Sequence, residues 1–103
     1  MPRQLIFSQD AIEDLKGIRQ WQTQPGFGRQ AKRRLQNLLA TTQRLKRNPC
    51  LYPVCDRPGI REMPADGEHR VFYTVIPDTG RSSTAGIVTI LRIFGPGRSR
   101  ESL

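Results

Sequence analysis

Four side chains able to handle a phosphate group or a proton fall within a span of thirteen residues: Arg61, His69, Arg70 and Tyr73. Arg61 and Arg70 are fixed cations whose flat guanidinium forks match the oxygens of phosphate or carboxylate. His69 is the only histidine, and an unperturbed imidazole titrates at about pH 6.5, so it suits either proton role. Tyr73 adds a phenol, and Arg92 is a further cation inside an otherwise apolar run. Cleaving an RNA phosphodiester needs a base for the 2′-OH, an acid for the leaving oxygen, and cations against the developing charge. Arg61, Arg70 and Arg92 could supply the cations. A single histidine cannot be acid and base at once, and Tyr73 is the one nearby group that could share the work. Each residue also has a plainer role. Arg61 can pair with Glu62 or Asp66 across a turn, His69 can be a solvated residue at a strand start, and Tyr73 can be a core aromatic. Arg92, a cation in an apolar row, requires a partner or a ligand. No phosphate-binding glycine loop, paired-carboxylate site or Ser/His/Asp set can be assembled, so no cofactor is expected. An enzyme and a non-catalytic binding protein both remain open.

The elements that must position these groups can be read along the chain. Arg3–Phe7 reads as a first strand ending at Ser8, whose hydroxyl can cap a helix carrying Asp10, Glu13 and Asp14 near its positive end. Ala11, Leu15 and Ile18 recur at helical spacing in that first helix, with Ile12 and Trp21 widening the stripe. Gln24–Gly28 breaks it. From Arg29 to Arg47 the period returns through Ala31, Leu35, Leu38, Thr42 and Leu45, and Asn48-Pro49 closes the second helix. Two helices joined by a short connection form an antiparallel hairpin whose apolar face needs a sheet to cover it. Ile60–Met63, the turn residues Pro64-Ala65-Asp66-Gly67, and His69–Ile76 read as a β-hairpin. His69, Val71, Tyr73 and Val75 share one face of its second strand, with Arg70, Phe72, Thr74 and Ile76 on the other. Apolar residues on both faces place that strand inside a sheet. Ala85–Phe94 is the most apolar stretch and predicts a buried strand, with Val88, Ile90, Arg92 and Phe94 alternating against Ile87, Thr89, Leu91 and Ile93. The expectation is an α+β fold of order β-α-α-β-β-β, a small antiparallel sheet with a helical hairpin on one face, in a single domain spanning 1–103. Residues 95–103 read as a flexible basic tail.

The bulk numbers narrow the partner. Seventeen lysines and arginines against nine acidic residues give a net charge of +8. The second helix alone carries +7 with no acidic residue, from cations that include Arg29, Arg33, Arg44 and Arg47. Such a surface is either a solvated face or a docking surface for an anionic partner, a nucleic acid or an acidic protein. No apolar run approaches a membrane span and MPRQLIF lacks a signal core, so a cytoplasmic protein without membrane attachment is expected. Cys50 and Cys55 are expected to be reduced structural thiols rather than a disulfide. A zinc site would need two ligands beyond them where the chain offers one histidine, so no metal is expected.

This order of elements resembles the RelE/ParE superfamily of bacterial type II toxin-antitoxin toxins. The likeness runs from Arg3 to Phe94. It is carried by Ser8 with Ala11, Asp14, Leu15 and Ile18, by Ala31–Leu45 with Asn48-Pro49, and by Gly59-Ile60-Arg61-Glu62-Met63, Arg70-Val71-Phe72-Tyr73 and Ile90-Leu91-Arg92-Ile93. The resemblance implies neutralisation by a cognate acidic antitoxin that wraps the toxin, and a cellular target that is either the ribosome or DNA gyrase. RelE-like members cleave mRNA in the ribosome with basic residues plus a tyrosine or histidine near the C-terminus. Here positions 95–100 read Gly-Pro-Gly-Arg-Ser-Arg, with neither type. The ParE-like branch, which poisons gyrase by binding, is the nearer resemblance. A ribosome-dependent mRNA endonuclease and a plain nucleic-acid-binding module are the alternatives.

Overall fold

A computed structural model of the chain describes residues 3–22, 28–65 and 69–95. Strands β1 (Leu5–Phe7), β2 (Arg61–Ala65), β3 (His69–Ile76) and β4 (Ile87–Phe94) make one sheet in the order β1-β4-β3-β2. Helices α1 (Gln9–Gln22) and α2 (Gly28–Gln43) fall between β1 and β2, and α2 runs on into a 3-10 turn, Arg44–Lys46. The expected breaker over 24–27, the turn residues Asp66-Gly67, the side chains of Trp21, Arg29 and Ala31, and the tail beyond Gly95 lie outside the described residues.

Local signals place the helices. The Ser8 hydroxyl accepts the Ala11 amide at 3.1 Å and its carbonyl accepts the Ile12 amide, so α1 starts where a capping serine directs it. Ala11 of α1 and Leu38, Thr42 and Leu45 of the second helical segment are almost fully buried. Ala11, Leu38 and Leu45 form one cluster with Met63, Val71, Tyr73, Val75, Val88, Ile90 and Ile93, the helix-facing side of the sheet. Ile12 and Leu39, at the margins of the helical stripes, stay more than a third exposed. Phe72 and Phe94 pack against each other on the opposite side, with ring centroids 5.3 Å apart.

Three features differ from the sequence expectation. The sheet is mixed, because β1 pairs with β4 in parallel while the other two pairings are antiparallel. β1 lies at the edge, and its partner is β4, the last strand among the described residues, rather than a hairpin neighbour. The alternation of β4 also breaks: Tyr73 faces Ile90 but Phe72 faces Arg92, so Leu91 is an extra residue in the ladder. That bulge turns Ile93 into the core, next to Val88 and Ile90, and sends Arg92 and Phe94 to the other face. At the β2 edge the strand runs through Pro64 to Ala65, later than the expected end at Met63. Pro64 has no N–H to offer a foreign strand there.

β1 is only three residues long and covers β4 no further than Ile90, so the outer edge of β4 needs other partners. Ser8 supplies two, its amide donating to the Ile90 carbonyl and its hydroxyl to the Leu91 carbonyl at 2.8 Å. The Asp14 carboxylate then accepts the Ile93 amide at 2.9 Å. The start of α1 thereby completes the sheet edge with side chains where backbone runs out.

Candidate functional site

Arg61 enters the core face from β2, directly opposite Tyr73 of β3. Its guanidinium donates to both oxygens of Asp78, Nε at 2.8 Å and Nη2 at 3.0 Å, and Nη1 donates to the Tyr52 carbonyl at 2.6 Å. Tyr73, fully buried, donates its hydroxyl to the Pro49 carbonyl at 2.7 Å. The Ser82 hydroxyl accepts the Cys50 amide, and Arg3 donates to the carbonyls of Lys46 and Ser82. These contacts clasp the irregular 49–53 segment to the 77–84 loop across the end of the sheet. Gly86 closes that loop, its amide donating to the Pro77 carbonyl. A Cβ there would stand 2.1 Å from the Ile76 carbonyl oxygen, so only glycine fits.

The electrostatics follow from this packing. Hydrogen bonds from Arg61 hold the Asp78 carboxyl below the usual range against the opposing effect of burial, and the Gly80 amide adds to them. The same pairing raises the Arg61 guanidinium further. Burial pushes the Tyr73 hydroxyl well above an ordinary phenol, with the Arg61 charge only partly offsetting it. A phenol that is buried, committed to a carbonyl and hard to ionise is poorly placed to exchange protons with a substrate. Tyr73→Phe should lower the free energy of unfolding by about 1–2 kcal/mol through the lost hydrogen bond. A urea titration should show this as an earlier midpoint with unchanged slope.

Arg92 finds its partner on α1. Its Nε and Nη2 donate to the two oxygens of Asp14 at 2.9 and 3.0 Å, and its guanidinium stands 4.8 Å from the Phe94 ring centroid. The pairing with Asp14 raises the guanidinium pKa, burial opposing it. Arg70 reaches the largely covered Glu62 carboxylate at 3.2 Å, and its own guanidinium is open to solvent, which screens the pair. His69 opens β3 opposite Ala65, half-buried and near Gly95.

The five candidate residues are therefore not one cluster. Arg61 and Tyr73 share the helix-facing side, whereas Arg70 and Arg92 lie on the other. The acidic partners of the arginines are not marked as such in the sequence. Asp14 is visible there only as a helix-start charge and Asp78 only as a loop residue. Cys50 and Cys55 are free thiols, each half-buried. Among the described residues no three His, Cys, Asp or Glu side chains group as a metal site, and no helix is long and apolar enough to cross a membrane. Of the expected partner-binding cations, Arg33, Arg44 and Arg47 are exposed, and none has an ion-pair partner among the described residues.

The structure is similar to a chain of the chromosomal ParDE TA system from P. aeruginosa. The TM-score is 0.69 at 17% identity, over 88% of this chain and 92% of that one, a likeness of fold. A comparison with curated proteins gives no match. The family model for the ParE toxin of the type II toxin-antitoxin system, parDE, matches residues 5–98. That span takes in β1, the helical hairpin, the Arg61 clasp and the Asp14–Arg92 pair, and it establishes that this chain belongs to the ParE toxin family of type II toxin-antitoxin systems.

Proposed function

We propose that this protein arrests bacterial growth in the cytoplasm by binding DNA gyrase, and that a cognate acidic antitoxin neutralises it. The observation that carries the choice of binding over RNA cleavage is the engagement of the candidate catalytic groups. Arg61 and Arg92 each spend two nitrogens on an internal carboxylate, and the Tyr73 hydroxyl is buried on a backbone carbonyl. General acid and base groups typically contribute about 10²–10⁴-fold each, and a site without them binds RNA better than it cuts it.

Purified protein should inhibit gyrase supercoiling and leave mRNA on programmed ribosomes intact. His69→Ala should inhibit gyrase as well as the unaltered chain does. Ribosome-dependent cleavage that His69→Ala abolishes would transfer the protein to the RelE-type reading. Induced alone in a bacterial host the chain should stop growth with chromosome damage, and co-expression of the acidic antitoxin should restore it.

A further inference from the structure

Between Asp14 and Asp56 the chain holds nine lysines and arginines and no acidic residue, so α2 and the segment after it have no carboxylate of their own to pair with. The layer ends in a depression of about 230 Å³ lined by Arg44, Leu45, Arg47, Asn48, Leu51 and Tyr52. Its chemistry is two-part. Arg44 and Arg47 are exposed cations, while Leu45 is fully buried behind them and Leu51 is 66% exposed. The wall is held in place from beneath: the Arg44 carbonyl accepts the amides of Arg47 and Asn48, and the Leu51 amide donates to the Asn48 carbonyl. The carbonyls of Pro49 and Tyr52 are held by Tyr73 and Arg61. An apolar side chain kept in solvent on a segment this firmly anchored is pre-organised, so a ligand covering it incurs little ordering cost.

We propose that this depression is a docking pocket for one apolar side chain of an acidic protein segment, whose carboxylates pair with Arg44 and Arg47. The assignment rests on the toxin reading above, in which the segment belongs to the antitoxin, and it names where that segment anchors. Charge complementarity selects an acidic ligand. The apolar half of the lining selects a protein over a phosphate backbone, which would have nothing to place against Leu51 and the Tyr52 ring. Arginine rather than lysine at both rim positions suits two-point pairing with carboxylates.

The test uses a fluorescein-labelled synthetic peptide of glutamates around one leucine, titrated with the full chain and read by anisotropy. The same peptide with serine for leucine, and a duplex DNA oligonucleotide, serve as comparison ligands. The leucine peptide should bind, and the serine peptide should bind about tenfold more weakly or less, the loss expected for one buried leucine side chain. Leu51→Ser should weaken the leucine peptide by a similar factor and leave the serine peptide unaffected. Arg44→Ala with Arg47→Ala should weaken both peptides. Leu51 is solvent-facing, so its replacement should not move the urea midpoint. If it does, the leucine-to-serine peptide swap on the unaltered chain decides alone. Equal binding of the two peptides, or DNA binding that matches and displaces the leucine peptide, would overturn the pocket. Growth arrest by the unaltered chain is a separate measurement. Its absence would remove the toxin reading while the peptide result stood, and its presence beside equal peptide binding would remove the pocket alone.

Discussion

Arg61→Ala is expected to destabilise the protein by about 3 kcal/mol, a large fraction of the roughly 5–15 kcal/mol that holds a small domain together. The substitution leaves Asp78 with a carboxylate only 23% accessible and no cation, and it strips the Tyr52 carbonyl of its donor. For a chain of this size the melting temperature should fall by on the order of 10–20 °C. The pH dependence distinguishes a lost ion pair from lost packing. The folded-state pKa of Asp78 is depressed, so the stability it contributes is present above the unfolded carboxyl value of about 3.9 and fades as pH falls through the lower folded value. Arg61, raised further by the pair, does not titrate in this range. The gap in urea midpoint between the parent and Arg61→Ala should hold steady from about pH 8 to 5 and narrow below about pH 4. A gap that stays constant down to about pH 2 would mean that Arg61 acts by filling space. Because the clasp also fixes the 49–53 segment, reduced growth arrest by Arg61→Ala is expected to follow from lost fold, with no change in proton chemistry.

Asp14→Ala should cost a comparable amount, about 3 kcal/mol, for a different reason. This carboxylate, 7% accessible, serves the Arg92 guanidinium and the Ile93 amide together. Its removal leaves a cation on the sheet and an unpaired donor on the outer edge of β4. The Arg92 guanidinium, 22% accessible and stacked near Phe94, can recover some hydration, but the Ile93 amide has no such relief on the packed side of α1. Asp14→Asn should be milder, since a carboxamide oxygen can still accept one of the bonds. A double-mutant cycle with Arg92→Ala should give a coupling of about 1.5–3 kcal/mol. Amide exchange reads the edge directly: Ile93 should lose protection in Asp14→Ala and keep it in Arg92→Ala, where the carboxylate remains. Equal protection in both variants would mean that Asp14 does not close this edge.

The helical hairpin is legible in the sequence because its determinants are local. Ser8 caps within three residues, and Leu35, Leu38, Thr42 and Leu45 repeat at the helical period whatever the sheet does. The interior position of β3 is legible for the same reason, since Val71, Phe72, Tyr73 and Val75 carry apolar side chains to both faces and are buried there. The resemblance to the toxin superfamily rests on that order of elements, and the family match over residues 5–98 agrees with it.

What the tertiary structure alone decided is which distant groups meet. Asp14 and Arg92 are 78 residues apart and Arg61 and Asp78 are 17 apart, and charge attraction carries no sequence period by which one carboxylate could be matched to one of seventeen cations. The same limit hid the bulge at Leu91, where an unbroken run of apolar residues reads equally well with either face inward. It hid the parallel β1–β4 pairing, which joins the two ends of the described chain. The residues able to do chemistry were thus written in the sequence. Which groups each one meets inside the fold depended on three-dimensional pairing, which joins Arg61 to Asp78, Tyr73 to the Pro49 carbonyl and Arg92 to Asp14.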